Sequence, residues 1–189
     1  PGSEQWFFTP AESGWYSFGL FNNGPIVSVS SGDQVLGEMT DCGEAMVLKL
    51  QKDVQYTVTY AVEDLSTYNM LTVEKLPTLT GEQGTAEGGR LYMFQAEQEG
   101  YYWFLGTYSG VWDMETEEWL SFDKGEAIYL YPEKDYRIPV WDEGMRYQYL
   151  GEEIPYTALE LDGEENPVGF YSFTPQQSGL YETNGYFEG

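Results

Sequence analysis

The segment Phe8-Thr-Pro-Ala-Glu-Ser-Gly14 returns as Phe94-Gln-Ala-Glu-Gln-Glu-Gly100 and a third time as Phe173-Thr-Pro-Gln-Gln-Ser-Gly179. In each copy the phenylalanine precedes the glycine by six positions, inside an aromatic-rich run. A second block, Gly43-Glu-Ala-Met-Val-Leu48 with Lys52-Asp53 and Val58, falls without a gap on Gly125-Glu-Ala-Ile-Tyr-Leu130, Lys134-Asp135 and Val140. Internal self-similarity constrains architecture before any local reading does, because each copy must be one structural unit built in the same way. The chain therefore reads as two copies of one module, residues 4–76 and 77–154, followed by the opening part of a third, residues 155–189. Pro1-Gly-Ser3 reads as the scar of a cleaved tag and is set outside the fold.

Local signals within each copy are those of strands. Trp6-Phe-Phe8, Trp15-Tyr-Ser-Phe18, Ile26-Val-Ser-Val29, Met46–Leu50, Tyr56–Tyr60 and Met70–Val73 are short, β-branched or aromatic, and separated by Gly, Pro, Asp and Ser. The second copy offers Leu91–Phe94, Tyr101–Phe104, Gly110–Met114, Trp119–Phe122, Ala127–Tyr131 and Tyr136–Val140. The fold class expected is all-β, with tandem antiparallel sandwiches of jelly-roll type and a partial third repeat. Asp64–Tyr68 is long enough for one helical turn and no more. The Phe…Gly motif reads as a hairpin, with Pro10 and Pro175 presetting the turn and Gly14, Gly100 and Gly179 closing it. Lys52-Asp53 and Lys134-Asp135 read as polar turns. In the third copy Ala158–Gly163 reads as a first strand, for which the first copy has no counterpart, leaving that copy an open sheet edge. Residues 157–189 are accordingly expected to dock on an existing sandwich, within the chain or by strand exchange with a neighbouring chain.

Charge narrows the classes of partner. The chain carries 32 acidic and 8 basic side chains and no histidine, a formal charge of −24. That field disfavours nucleic acid and anionic membrane. No run of 18 apolar residues is present, so no membrane insertion is expected. With no histidine there is no Ser-His-Asp triad and no Cys–His dyad. Cys42, with acidic neighbours that raise a thiol pKa, is not placed to be a nucleophile. The expectation is a protein that is not an enzyme.

The order of the Leu-x-Leu-x-Gly lead-in, the aromatic hairpin, the Gly-Glu-Ala strand pair and a terminal Tyr-x-x-Leu-Thr-Val strand resembles the bacterial pre-peptidase C-terminal (PPC-like) β-sandwich. Phe8, Gly14, Tyr16, Leu48, Tyr56 and Leu71 carry the resemblance, with Phe94, Gly100, Tyr102 and Leu130 in the second copy. It implies a secreted or cell-wall-associated bacterial protein, in which such modules are non-catalytic parts of proteases, glycoside hydrolases and adhesins.

Alternation separates the faces of the hairpin. Tyr16/Phe18, Tyr102/Phe104 and Tyr181/Thr183 belong to a core face, whereas Trp15/Ser17, Tyr101/Trp103 and Leu180/Glu182 face away. Phe7, Met93 and Ser172 occupy an outward position on the preceding strand. In the second copy Met93, Tyr101, Trp103, Trp112, Trp119 and Trp141 are therefore the candidate ligand-binding residues. Exposed rings stack on the C–H face of a pyranose while carboxylates take its hydroxyls, so the partner expected is a polysaccharide or other glycan, held by a carbohydrate-binding or adhesion module. The same rings can instead cover an interface, and the alternative is a structural spacer or protein–protein interaction repeat. Acidic pairs such as Asp113/Glu115, Glu117-Glu118, Glu152-Glu153 and Glu164-Glu165 read as solvated surface. No cofactor is expected beyond a structural calcium, held by an oxygen-rich loop such as Asp162–Asn166.

Overall fold

The computed structural model describes residues 2–21, 26–39, 45–62, 70–106, 110–121, 125–141, 144–159 and 167–178. The expected helical turn at Asp64–Tyr68 and Cys42 lie outside them. Among the described residues the chain is all-β and contains no helix. It divides into two compact units, Pro1–Pro77 and Thr78–Gly189.

The first unit contains β1 (Gly2–Phe8), β2 (Gly14–Phe21), β3 (Ile26–Ser31), β4 (Gln34–Met39), β5 (Met46–Leu50), β6 (Tyr56–Val62) and β7 (Met70–Lys75). They form an antiparallel sheet of order β1-β6-β3-β4 and a second of order β5-β2-β7. Alternation turns Tyr16 and Phe18 of one sheet toward Val27, Val29, Tyr56, Val58 and Tyr60 of the other, and these side chains form one buried core. Gly2 and Ser3, expected outside the fold, are the first residues of β1 and pair with Val62 and Ala61.

The second unit contains β8 (Thr78–Leu79), β9 (Gln83–Ala86), β10 (Arg90–Phe94), β11 (Gly100–Leu105), β12 (Trp112–Asp113), β13 (Glu118–Trp119), β14 (Ala127–Leu130), β15 (Tyr136–Val140) and β16 (Met145–Gly151). Its sheets have the orders β13-β12-β15-β10-β8 and β14-β11-β16-β9. Removing β8 and β9 leaves the strand order of the first unit. Both β8 and β9 lie at sheet edges, beside β10 and β16, whose counterparts β1 and β7 have no such neighbour among the described residues. Tyr92, Phe94, Tyr102, Phe104, Ile138 and Tyr147 centre the core, with Phe94 meeting Tyr102, Phe104 and Tyr147 edge-on at ring separations of 5.1–5.2 Å. Phe8 meets Tyr16 and Phe18 in the same way.

Two readings of the second sequence block change. Leu50, not Leu48, lies opposite Gly14, as Leu130 lies opposite Gly100, and Tyr56 and Tyr136 lie opposite Phe8 and Phe94. The gapless match is therefore two residues out of register. A slip of two returns every side chain to its own face, so polarity alone does not reveal it. The turn in the second unit is correspondingly at Pro132-Glu133, with Lys134-Asp135 beyond it. Gly14 and Gly100 have positive φ (155° and 146°), and a Cβ at Gly100 would stand 2.5 Å from the Gly151 carbonyl oxygen.

After the second sandwich, β17 (Thr157–Ala158) and β18 (Tyr171–Ser172) pair in parallel, as β8 and β10 do. The larger part of the expected Ala158–Gly163 strand lies outside the described residues, as does Gly179.

Candidate functional site

Along β11 the burial alternates without interruption: Gly100, Tyr102 and Phe104 point into the core, and Tyr101, Trp103 and Leu105 onto the outer face. Antiparallel register then fixes the surroundings. Trp103 stands opposite Gln148 and Leu105 opposite Arg146 on β16. On β9, Thr85 stands opposite Arg146 and Gln83 opposite Gln148. Together they line an open depression of about 430 Å3 on the outer face of the β11-β16-β9 sheet. Its floor is an indole and an isobutyl group, and its polar atoms belong to two carboxamides, a hydroxyl and a guanidinium. Tyr147 and Gly84 close it from beneath. The Tyr147 hydroxyl donates to the Thr80 carbonyl oxygen at 2.6 Å, and a Cβ on Gly84 would stand 2.5 Å from that hydroxyl.

Trp103 has two further partners. Its Nε1–H donates to the Gly125 carbonyl oxygen at 2.8 Å, and Phe170 packs on the ring at 4.9 Å, itself 6.3 Å from Tyr156. The segment that follows the second sandwich thus covers part of the expected aromatic surface.

The six expected residues do not converge. Trp103 lines the depression, and Tyr101, on the same face, packs edge-on with Tyr129 at 5.0 Å. The Tyr129 hydroxyl donates to Glu99 Oε1 at 3.0 Å, and this bond, with burial adding to it, pushes its pKa up to about 12. Met93, Trp112 and Trp119 belong to the other sheet, whose outer face points the opposite way. There Arg137 lies over Trp112 at 4.9 Å and Trp119 at 5.7 Å, and the two indoles meet edge-on. Met93, expected outward, is 1% exposed, whereas Phe7 on β1 is 67% exposed. The cross-strand neighbours differ: Met93 lies between Arg137 and Thr78, while Phe7 has Thr57 on one side and no strand among the described residues on the other. Trp141 is half exposed and directly follows β15.

Gln83, Thr85, Leu105, Arg146 and Gln148 are not singled out by the sequence reading. A signal exists, because period-two alternation in Met145-Arg-Tyr-Gln-Tyr149 puts Arg146 and Gln148 on one face. What places that face beside Trp103 is a long-range pairing.

Asp113, read as solvated surface, is buried. Its Oδ1 accepts the N–H groups of Glu115 and Thr116 at 2.8 and 3.2 Å, and its Oδ2 lies 2.8 Å from Lys134 Nζ. It organises a turn. Asp162–Asn166 lie outside the described residues, among which no three acidic, Cys or His groups gather as metal ligands would.

No family model matches the chain, and no curated protein does. Among solved structures, the CUB1-EGF-CUB2 region of human MASP-1/3 is similar at 10% identity and a TM-score of 0.26, over 78% of this chain and 93% of that one.

Proposed function

We propose that the chain is a non-catalytic glycan-binding module whose platform is the outer face of the β11-β16-β9 sheet. One observation supports this reading above others: Trp103 and Leu105 form an apolar floor ringed by Gln83, Thr85, Arg146 and Gln148. Small-ligand sites combine such a surface with a few placed polar groups. An indole complements the C–H face of a pyranose, and carboxamides offer both donors and acceptors to its hydroxyls. In the first unit the corresponding cross-strand pairs are Ser17 with Glu74 and Gly19 with Thr72, which offer neither ring nor cation. Binding is therefore assigned to the second unit. A position outside the cell, on or near a bacterial wall, fits a charge of −24 and the PPC-like resemblance, and belongs to the same proposal.

Affinity electrophoresis against a polysaccharide panel tests it. Retardation by at least one glycan is expected, lost in Trp103→Ala and retained in Trp112→Ala. Loss in Trp112→Ala alone would move the site to the opposite face, and no retardation at all would end the proposal.

A second reading has its own support. The parallel β17–β18 pair resembles β8–β10, while among the described residues β1 and β7 are the two edges that β8 and β9 cover in the second unit. Strand addition from residues 157–189 of a neighbouring chain would make the module an assembly repeat. Sedimentation tests this: association that vanishes on deleting 157–189 supports it, and a monomer at every concentration excludes it.

A further inference from the structure

Arg146 is the one cation among the described residues that lines the depression, and its setting differs from those of other basic residues here. Lys134 pairs with Asp113 and Glu115, Lys75 with Glu12, and Arg137 lies over two indoles. Arg146 is exposed, has the neutral Leu105 and Thr85 as cross-strand neighbours, and makes no ion pair among the described residues. Cross-strand partners of a cation are commonly acidic. In a chain with 32 acidic side chains, none of the residues lining the depression is acidic. The adjoining Glu82 carboxylate accepts a hydrogen bond from Gln98 Nε2 at 2.5 Å.

Resting on the glycan-binding proposal, we infer that the ligand is an acidic sugar, a hexuronate unit whose ring lies on Trp103 and whose carboxylate meets Arg146. A guanidinium matches a planar carboxylate with two parallel N–H···O bonds, a geometry that a hydroxyl cannot use. The surrounding negative field opposes an anionic polymer at long range. It is screened beyond about 8 Å at physiological ionic strength, whereas a direct guanidinium–carboxylate contact is screened far less. Discrimination therefore arises at contact, and the neutral amides of Gln83 and Gln148 read hydroxyls that acidic and neutral sugars share.

Isothermal titration of the whole chain with tetragalacturonate, the neutral galactotetraose and a short poly-glutamate peptide decides the matter. The uronide should bind about tenfold tighter than the neutral sugar, as one desolvated charge-assisted pair permits. Arg146→Gln, at an exposed strand position, should remove that preference by weakening the uronide about tenfold more than the neutral sugar, while Trp103→Ala should weaken both sugars. Equal binding of the two sugars, or an unaltered preference in Arg146→Gln, would overturn the acidic-sugar inference and leave the platform standing. Binding of neither sugar would overturn the acidic-sugar inference, and the polysaccharide panel would then decide the platform. Arg146-dependent capture of poly-glutamate as tight as that of the uronide would make the partner an acidic peptide and overturn the inference. Circular dichroism of each variant shows whether its sandwiches are intact.

Discussion

Lys134 Nζ lies 2.8 Å from Asp113 Oδ2, and the carboxylate it neutralises is nearly inaccessible to water. Burial raises the Asp113 pKa, but the Lys134 hydrogen bond and the Glu115 and Thr116 amides outweigh it, so the net shift is downward from 3.8. A depressed folded-state pKa contributes stability above the unfolded value, lost as pH falls through the folded one. Asp113→Asn should therefore cost about 1–3 kcal/mol at neutral pH. The difference between wild type and variant should stay flat above about pH 5 and shrink below about pH 4. Urea denaturation at a series of pH values measures it, and a difference that grows on acidification would contradict the assignment. Using the difference removes the relief of repulsion that protonating the other carboxylates brings.

Gly100 is held by its surroundings as much as by its φ. A Cβ placed there would lie 2.5 Å from a backbone carbonyl oxygen, which cannot rotate away as a side chain would. Gly89, with φ of 75° and nothing within 4 Å of where its Cβ would stand, isolates the conformational cost. Gly89→Ala should cost about 1 kcal/mol and Gly100→Ala about 3 kcal/mol or more. Equal melting temperatures for the two variants would show that the sheet at Gly151 yields.

Legibility in the sequence follows the range of the interaction. The hairpin faces are readable because Tyr102, Phe104 and Trp103 alternate within one strand. Met93 is misread because an alternation pattern names a face and says nothing of what lies on either side of it, here Arg137 and Thr78. The block match ending at Leu48 and Leu130 slips by two because a period-two pattern is blind to that shift. The depression escapes for a similar reason: Arg146 and Thr85 meet only through the β16–β9 pairing. Asp113 is masked by abundance, since 32 acidic residues make any one of them look like surface.

Two tyrosine hydroxyls close equivalent turns. The Gln51 N–H donates to the Tyr56 hydroxyl and the Tyr131 N–H to that of Tyr136, each at 2.9 Å and each five residues ahead. Tyr→Phe at either position leaves a turn N–H without its acceptor while the ring still fills the core. Each substitution should cost about 1 kcal/mol. With the tyrosines in different units, the double variant should lose the sum. Guanidinium denaturation of the two singles and the double gives the values, and a neutral Tyr136→Phe would mean that water replaces the hydroxyl.

Phe170 packs on Trp103 at 4.9 Å, tying the segment that follows β16 to the outer face of the second sandwich. The contact joins two half-buried rings, so its loss should cost about 1 kcal/mol. Phe170→Ala should also admit water to one side of the indole. The Trp103 contribution to fluorescence, obtained as the difference between each protein and its Trp103→Phe counterpart, should then shift to longer wavelength. The Nε1–H bond to Gly125 is independent of Phe170, so the ring should keep its orientation and the depression its shape. Glycan affinity should consequently change by less than about threefold in Phe170→Ala while Trp103→Ala weakens it far more. An unshifted difference spectrum would show that Phe170 does not cover Trp103 in solution. A loss of affinity as large as that of Trp103→Ala would make Phe170 part of the binding surface itself.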